Sequence, residues 1–536
     1  PLPGPALHPI RPGVLHGSSP AFCLLRTRRS AWFKPGVLYD RAVKYLRRRL
    51  DDYLDEVFPA LPAIAIDGAR GVGKTETARR RVAAVFRLDE AESARLLAAG
   101  GRSVLESEPS VLLDEWQKYP VVWDWTRRMV DDHAPTAILL TGSATPRVGA
   151  ASHSGAGRIV SVLMRPMSLT ERGAAPGGLR LTDLFAGASG YTAESPLGLT
   201  DYVEEITASG LPGIRGLPPR LRRIQLDSYI TRIVDRDLEE QGALLRRAQT
   251  LRNWMRAYAA ASSTTASYTA ILNAATAGLT DKPARSTTEN YRDLLSQIWV
   301  LDPVPAWTAA LPPMPRLKVA PKHQLVDPAI AARLLGLNAR GLLGGIPGAG
   351  ESLGQLFESL ATLCVRADAI SVDATVGHLR TRNGDHEVDL VVEDPEARVV
   401  GIEVKLAREV EDRDVRHLCW LRDRIGERFA AGVVLTFGFA LGYFLNKWFS
   451  PLPIKVDSFL AGSVLNVSRV DVIAVGVVLV LTVLVLAVAG RFLTFYSFDP
   501  LGYRASGLRP AWAEATVMLM ITLTIVMLVP AVGTIL

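Results

Sequence analysis

The chain has 536 residues, of which 48% are hydrophobic and 21% are charged, and its mean hydropathy is +0.17. This length predicts several domains, and the composition is that of a globular protein on average. The net charge of +7 permits a nucleic-acid or anionic membrane partner without requiring one. Charged residues become rare beyond Arg428, so we expect a polar part followed by an apolar part.

The cysteines and the N-terminal segment carry little functional signal. Cys23, Cys364 and Cys419 lie far apart and form no CxxC or Cys/His cluster. This argues against a disulfide framework or structural zinc and fits a reducing cytoplasm. Residues 1–38 are rich in Pro and Gly and predict a disordered tail without a signal peptide, from a fragment or a misplaced gene start. The arginine-rich runs at residues 44–50 and 79–81 are expected to be solvated helix faces.

The strongest local signal follows a short apolar strand, AIAI. It is the pattern Gly68-x4-Gly73-Lys74-Thr75, with Gly71 inside it, followed by a predicted helical run. Glycines allow backbone N–H groups to surround phosphates, and the following helix points its positive end at them. Lys74 is then placed to reach the β- and γ-phosphates, and Thr75 to bind Mg²⁺. The pattern predicts a P-loop.

Two further apolar strands end in polar residues. SVLLD ends at Asp114 and is followed by Glu115, and TAILLTGS carries Thr141 and Ser143. We expect Asp114 to hold Mg²⁺ through water, Glu115 to polarise the attacking water, and Thr141 and Ser143 to sense the γ-phosphate. Strands that end in polar residues at one sheet edge are typical of a parallel α/β nucleotide fold. The alternative is a buried strand with a solvated acidic turn.

These motifs resemble a bacterial and archaeal family of AAA-type ATPases that carries a nuclease-like C-terminal domain. The resemblance covers about residues 39–435 and includes GARGVGKTETA, LLDEWQ, LTGSATP, YVEEITASGLPGIR and PKHQLVDPAIAARLLG. It implies ATP as the nucleotide and Asp114 and Glu115 as the Walker B pair. Arg158 and Arg165 become candidate phosphate-sensing arginines, with anchoring salt bridges as the alternative. The resemblance also implies a helical, winged-helix-like middle domain, which serves either DNA binding or packing.

A second site is predicted in TRNGDHEVDLVVEDPEARVVGIEVKLA, which has the pattern of a β-hairpin. Glu403 and Lys405 lie two residues apart and share one face of a strand, near Asp389 on the partner strand. Glu358, on a helix, can approach from the side. This is the arrangement of PD-(D/E)xK nucleases, in which Asp389, Glu403 and Glu358 would bind Mg²⁺ and Lys405 would help to activate water. The alternative is a hairpin with ordinary solvated charges, and cleavage stays open.

The last hundred residues predict a membrane region. Residues 472–490 and 515–536 are uncharged and long enough to span a bilayer. YSFDPLGYRASGL resembles the permease subunits of zinc/manganese-type ABC importers, through Phe498, Asp499 and Ser506 among others. That resemblance implies that the loop at residues 491–514 contacts an ABC cassette subunit on the cytoplasmic side.

The predicted architecture has five parts: a tail at 1–38, an α/β P-loop domain at 39–172, a helical winged-helix-like domain at 173–320, an α/β nuclease-like domain at 321–436, and a truncated α-helical transmembrane region at 437–536. Because no linker separates the last two, we expect a chimera. The predicted function is an ATPase with a nuclease-like domain joined to a permease fragment, with ATP, Mg²⁺, nucleic acid and the membrane as partners. The alternatives are a permease subunit of a divalent-metal importer and an ATP-switched DNA-binding module. The predicted location is the cell membrane with the ATPase on the cytoplasmic side, or the cytoplasm if the last part is an artefact.

Overall fold

The computed structural model describes nine continuous segments and a few residues near the C-terminus. The segments are residues 45–143, 155–174, 180–187, 196–238, 248–277, 285–308, 320–345, 348–406 and 410–436, with scattered residues between 479 and 516. Helices and strands are numbered below in chain order.

The first layer is a five-stranded parallel sheet with the order β2-β3-β4-β1-β5. Its inner strands are apolar runs buried on both faces, as expected for a parallel sheet covered by helices. The predicted parallel α/β architecture is confirmed. The strands are β1 (Ala63–Asp67), β2 (Ala84–Arg87), β3 (Ser110–Asp114), β4 (Ala137–Thr141) and β5 (Val160–Leu163).

Two edge strands of this sheet were missed by the sequence analysis. The helical run predicted after the P-loop ends at Ala78, and the chain turns directly into β2. Both β2 and β5 have partly exposed side chains, because each has a neighbouring strand on only one side. Because these two strands mix polar and apolar residues, they do not appear as apolar runs in the sequence. The helices of this part are α1 (Arg49–Val57), α2 (Lys74–Ala78), α3 (Ala91–Gly100), α4 (Arg102–Glu106) and α5 (Val121–Asp131).

The middle of the chain is helical, as predicted. Its helices are α6 (Leu181–Phe185), α7 (Leu199–Ala208), α8 (Pro212–Arg215), α9 (Pro219–Arg232), α10 (Ala248–Ala260), α11 (Tyr268–Ala275), α12 (Arg285–Gln297) and α13 (Pro328–Leu334). After α12 the chain forms antiparallel bridges, Leu301 with Leu325 and Val304 with Lys322. The exposed positions of α12 include Glu289 and Asp293, whose negative charges are unfavourable beside a phosphate backbone.

The second sheet has the order β6-β7-β8-β9. Strands β6, β7 and β8 are antiparallel, and β9 is parallel to β8. The predicted hairpin is present, with the turn between β7 and β8. The elements are α14 (Ala349–Asp368), β6 (Thr375–Arg380), β7 (Glu387–Glu393), β8 (Val399–Lys405), α15 (Asp412–Ile425) and β9 (Phe429–Thr436). Leu418 and Leu421 of α15 pack against this sheet in a core with Val388 and Val399.

The chain divides into two units where β9 ends, the second of which contains residues 437–536. The predicted membrane spans at 472–490 and 515–536 lie mostly outside the described residues, and so does most of the loop at 491–514. Helical residues are described between Leu479 and Tyr496, and Leu479 and Leu484 are exposed. Among the residues described, no helix has both the length and the apolar character needed to cross a membrane. The membrane spans therefore stay a prediction.

Candidate functional site

The P-loop connects β1 to α2 and contains three glycines with positive φ. Gly68, Gly71 and Gly73 have φ of 146°, 78° and 106°, a region that favours glycine. A Cβ at Gly68 would also lie 2.3 Å from the carbonyl oxygen of Met164, after β5. Glycine at this position allows the loop to pass close to β5.

Arg48, immediately before α1, connects the P-loop to the segment that follows β5. It is only 4% exposed and donates hydrogen bonds to the carbonyl oxygens of Val72 and Arg165, at 2.7 and 2.6 Å. Its Nε also lies 3.2 Å from a carboxylate oxygen of Glu171. The prediction that the run at 44–50 is a solvated face is therefore wrong for Arg48. The burial of Arg48 could not be predicted, because the sequence does not show which arginine of the run points into the fold.

Lys74 is the first residue of α2 and is 6% exposed. Its Nζ donates hydrogen bonds to the carbonyl oxygens of Gly68 and Ala69, at 2.6 and 3.0 Å. Among the residues that the structure describes, it forms no ion pair. Burial lowers the pKa of Lys74 to about 8, although Glu115, Asp67 and Asp114 oppose this shift. Lys74 is thus a buried cation without a counter-ion in direct contact.

Asp114 accepts hydrogen bonds from two hydroxyl groups on neighbouring elements. Thr75 Oγ1 and Thr141 Oγ1 both donate to its Oδ1, at 2.8 and 2.6 Å. The register of β3 and β4 explains this geometry, because Asp114 pairs with Thr141 at the carboxyl end of the sheet. The structure therefore brings three of the predicted site residues together.

Glu115 adopts a left-handed backbone conformation, with φ of 54°. This conformation is uncommon for a residue with a side chain and often occurs at functional sites. Ser143 Oγ donates to Glu115 Oε1 at 2.8 Å, and Gln117 Nε2 donates to the other oxygen. Gln117 was missed by the sequence analysis. Its side chain packs against Gly142, where a Cβ would lie 3.0 Å from Gln117 Oε1 and 2.8 Å from Trp116 Nε1.

Both predicted phosphate-sensing arginines form ion pairs. Arg158 Nε lies 2.5 Å from Asp131 on α5 and is partly exposed. Arg165 binds both carboxylate oxygens of Asp302, which also pairs with Arg366 on α14. The structure places Arg158 and Arg165 in anchoring contacts, the alternative that the sequence left open.

A second cluster of charges lies at the hairpin of the second sheet. Lys322 is 1% exposed, and its Nζ lies 2.7 Å from Glu358 Oε1 and 3.0 Å from Asp389 Oδ1. Burial would lower the pKa of Lys322, but Asp389 and Glu358 raise it above its usual value. Lys322 stands in the PKHQLVDP motif but was not predicted to be a site residue.

Lys405 lies on the other side of this cluster. Its Nζ is 2.7 Å from Glu403 Oε2 and 3.9 Å from Asp389 Oδ2, which accepts a hydrogen bond from the backbone N–H of Val404. Burial and the neighbouring Asp389 raise the pKa of Glu403 to about 8, although Lys405 opposes this shift. Burial also raises the pKa of Glu358 to about 7, against the effect of Lys322.

The predicted residues of the nuclease-like site therefore lie together, with two lysines among them. Within the described segments, no group of three or more His, Cys, Asp or Glu side chains is arranged to hold a metal ion. Because the ammonium group of Lys322 lies between Glu358 and Asp389, a Mg²⁺ ion cannot occupy the same position. The metal and catalytic roles of Asp389, Glu403, Glu358 and Lys405 stay predictions.

Four family models match the chain. They are an AAA domain at residues 61–172, a domain of unknown function (DUF8612) at 199–341, a domain of unknown function (DUF4143) at 353–455, and the ABC 3 transport family at 418–536. Residues 61–172 are thus similar to an AAA domain. The AAA domain contains the complete P-loop and Asp114 cluster, so its site geometry and its family match agree. The predicted resemblance to a nuclease is not confirmed by these matches.

The last two matches overlap at residues 418–455. The ABC 3 transport match begins within α15 and includes β9. Strand β9 belongs to the second sheet, α15 packs against that sheet, and both lie in the first unit. The resemblance of the C-terminal part to a permease is confirmed at the level of that family.

Two groups of relatives are similar to different parts of the chain. An uncharacterized protein, Rv2008c, of Mycobacterium tuberculosis is 26% identical over 359 residues, which cover 64% of this chain and 70% of that protein. The uncharacterized protein Mb2031c of Mycobacterium bovis matches equally well. An uncharacterized membrane protein of Cyanophora paradoxa is 28% identical over 126 residues, 22% of this chain and 40% of that protein.

Solved structures give weaker similarities. The Walker-type ATPase PABY2304 of Pyrococcus abyssi has 15% identity and a TM-score of 0.33, covering 54% of this chain and 96% of its own. The replication initiator DnaA bound to AMPPCP and single-stranded DNA has 15% identity and a TM-score of 0.22, covering 46% and 86%. At these TM-scores neither structure adds to the assignment, which rests on the AAA family model and the site geometry.

Proposed function

We propose that the AAA domain binds ATP with Mg²⁺ and hydrolyses it. The observation that carries this proposal is the pair of hydroxyl groups, from Thr75 and Thr141, that converge on one oxygen of Asp114 beside the P-loop. A hydroxyl and a carboxylate beside bound phosphates are oxygen ligands of the kind that Mg²⁺ prefers. The residues present therefore fit the ion, with Thr75 as a direct ligand and Asp114 as a ligand through water.

Each residue of the site has a distinct role. The P-loop N–H groups and Lys74 bind the β- and γ-phosphates, and Lys74 exchanges its carbonyl contacts for phosphate oxygens. Mg²⁺, when bound, neutralises charge that develops on the phosphate oxygens. Glu115 accepts a proton from the attacking water or orients it, and Ser143 and Gln117 hold its carboxylate in place. Thr141 and Ser143 connect β4 to both acidic residues, so β4 senses the γ-phosphate.

The proposal is tested with two variants that separate binding from turnover. Lys74→Ala removes the main cation that contacts the phosphates and should abolish ATP binding, measured by fluorescence titration with a nucleotide analogue. Glu115→Gln should bind ATP like the wild type, with turnover reduced about 100-fold or more, the usual contribution of a general base. Glu76→Gln is the matched control, because Glu76 lies on α2 but is exposed and pairs with the neighbouring Arg79. Equal hydrolysis by the wild type and both site variants would overturn the proposal.

The second candidate is an ATP-switched module that binds nucleic acid, and one cavity favours it. A cavity of about 390 Å³ lies between α9 and α13, within the residues matched by DUF8612. Its lining includes Arg222, Arg223, Arg333 and Arg340. Glu204 pairs with Arg222 and Asp227 pairs with Arg333, which leaves Arg223 and Arg340 as the cations that could bind phosphates. Phosphate contacts of this kind give affinity without sequence preference.

Fluorescence anisotropy with labelled single- and double-stranded DNA tests this candidate. Replacing Arg223 and Arg340 with Ala should weaken binding and reduce the salt slope by about two, one for each phosphate contact removed. Arg87→Ala is the control, because Arg87 is an exposed residue of β2 that pairs with Glu90. Binding that is unaffected by the double change would exclude this surface.

For the C-terminal part we propose membrane attachment as a zinc/manganese-type permease fragment. The match to the ABC 3 transport family and the uncharged run at 472–490 support it. Replacing Val483 and Leu486 with Lys should release the chain from membranes in a carbonate wash, since each lysine costs about 3 kcal/mol near the centre of a membrane helix. Release of the unmodified chain by the same wash would contradict the proposal.

A further inference from the structure

Lys322 occupies the centre of the carboxylate cluster at the second sheet. Its Nζ lies between Glu358 on α14 and Asp389 on β7, at 2.7 and 3.0 Å. A third carboxylate, that of Glu387, lies 3.8 Å away. The ammonium group therefore faces oxygens from a helix and a strand at once, which is the position a divalent cation would take between the same side chains.

The backbone of Lys322 is fixed, so the side chain is held in this place. Its N–H and carbonyl group both bond to Val304, each at 2.9 Å. On the following residue, His323 Nε2 bonds to the carbonyl oxygen of Ala266 at 2.7 Å. Gln324 Nε2 then donates to Ser263 Oγ at 3.0 Å. These hydrogen bonds fix the position of the segment, and the side chain of Lys322 is 1% exposed.

An ammonium group and a divalent ion cannot share this place. Mg²⁺ needs oxygen ligands at about 2.1 Å in near-octahedral geometry, whereas the ammonium donates to the same oxygens at ordinary hydrogen-bond distances. Two cations so close together would repel each other strongly in a buried environment. On the other side of the cluster, Lys405 already pairs with Glu403 at 2.7 Å.

We propose that Lys322 is a built-in cation that takes the place of a divalent metal in this cluster. It neutralises Glu358 and Asp389 and ties α14, β7 and the segment at residues 320–325 together. The cluster is therefore closed to Mg²⁺ and Mn²⁺. This property is independent of the P-loop, where Mg²⁺ binds with ATP.

Manganese binding, measured by electron paramagnetic resonance on the full chain in detergent without nucleotide, tests this proposal. Any Mn²⁺ bound by the wild type should be lost in Asp114→Asn, at the P-loop, and should be unaffected by Asp389→Asn. Lys322→Met removes the ammonium while keeping most of the side-chain volume, and it should gain one Mn²⁺ per chain. That Mn²⁺ should be lost again in the double variant Lys322→Met with Asp389→Asn.

Two results would overturn the proposal. The first is loss of one Mn²⁺ from the wild type on the change Asp389→Asn, with circular dichroism showing that the variant is folded. The second is a folded Lys322→Met variant that gains no Mn²⁺. If Lys322→Met does not fold, the comparison of the wild type with Asp389→Asn still decides whether the cluster holds a metal.

Discussion

The P-loop and the second sheet each bury a lysine close to carboxylates, yet the two lysines have opposite electrostatic surroundings. Among the described residues, Lys74 bonds to two backbone carbonyl groups, and burial lowers its pKa to about 8. Lys322 bonds to two carboxylates, which raise its pKa above the ordinary value. The carboxylates near Lys74 only partly offset the cost of burying its charge, whereas those that contact Lys322 more than offset that cost.

We propose that this difference separates a site that binds a ligand from one that stabilises the fold. A buried cation without a direct counter-ion is unfavourable until an anion arrives, so it favours phosphate binding. A buried ion pair is already satisfied and gains nothing from an added ion. Proximity of charged residues in sequence could not distinguish the two, because both sites contain a lysine and several acidic residues.

The comparison predicts opposite effects of the same substitution on stability. Lys322→Met leaves the buried carboxylate of Glu358 without its ion-pair partner and removes the nearest cation from Asp389, which should cost about 3–5 kcal/mol. At about 2–4 °C per kcal/mol this lowers the thermal midpoint by about 6 °C or more. Lys74→Met removes a poorly compensated charge, and its midpoint without nucleotide should stay equal to that of the wild type or rise.

Differential scanning calorimetry of the two variants beside the wild type measures this contrast. Lys405→Met serves as the intermediate case, because Lys405 is partly exposed and pairs mainly with Glu403. An equal loss of stability in Lys74→Met and Lys322→Met would break the comparison.

A third ionic cluster provides an independent check. Asp302 is half-buried and lies between Arg165 and Arg366. Burial opposes ionisation of Asp302, but the two guanidinium groups hold its pKa below the ordinary value. Asp302→Ala should therefore cost about 1.5–3 kcal/mol at pH 7, the range for hydrogen bonds to charged groups.

The pH dependence of that cost has a definite sign. Because the folded-state pKa of Asp302 is lowered, its contribution is fully present above the ordinary pKa and is lost as the pH falls through the lower, folded value. Unfolding midpoints of the wild type and Asp302→Ala should converge in acid. A difference that stays constant down to the acid transition would contradict the assignment.

A smaller effect is expected at the Asp114 cluster. Thr141→Val removes one of the two hydroxyl groups on Asp114 and keeps the shape of the side chain. Losing one hydrogen bond of about 1 kcal/mol should reduce ATP turnover about fivefold. Thr136→Val is a suitable control, because Thr136 is buried at the start of β4 and bonds to the carbonyl oxygen of Glu108. A similar loss of turnover in both variants would point to a general packing effect.

The sequence predicted that Thr75, Asp114 and Thr141 lie together, because each belongs to a local pattern. The P-loop, Asp114 and Thr141 follow apolar strands, and parallel strands bring their carboxyl ends to one edge. The hairpin of the second sheet was predicted for the same reason. Arg48 and Lys322 were missed as site residues, since each acts across more than 20 residues of sequence and resembles an ordinary surface charge. Only the packing of the folded chain identifies them.

The pH dependence of ATP binding tests the electrostatic difference between the two sites most directly. Lys74 must be protonated to bind the phosphates, and its lowered pKa of about 8 means that the free protein loses this charge above pH 8. The dissociation constant for Mg-ATP should be nearly constant from pH 6.5 to 7.5. Above pH 8 it should rise by about tenfold per pH unit, the limit for release of one proton. Lys74→Met, which lacks the titrating ammonium, should show no measurable binding at any pH in this range. An affinity that stays constant to pH 9.5 in the wild type would mean that Lys74 keeps an ordinary pKa, and the proposed contrast with Lys322 would be wrong.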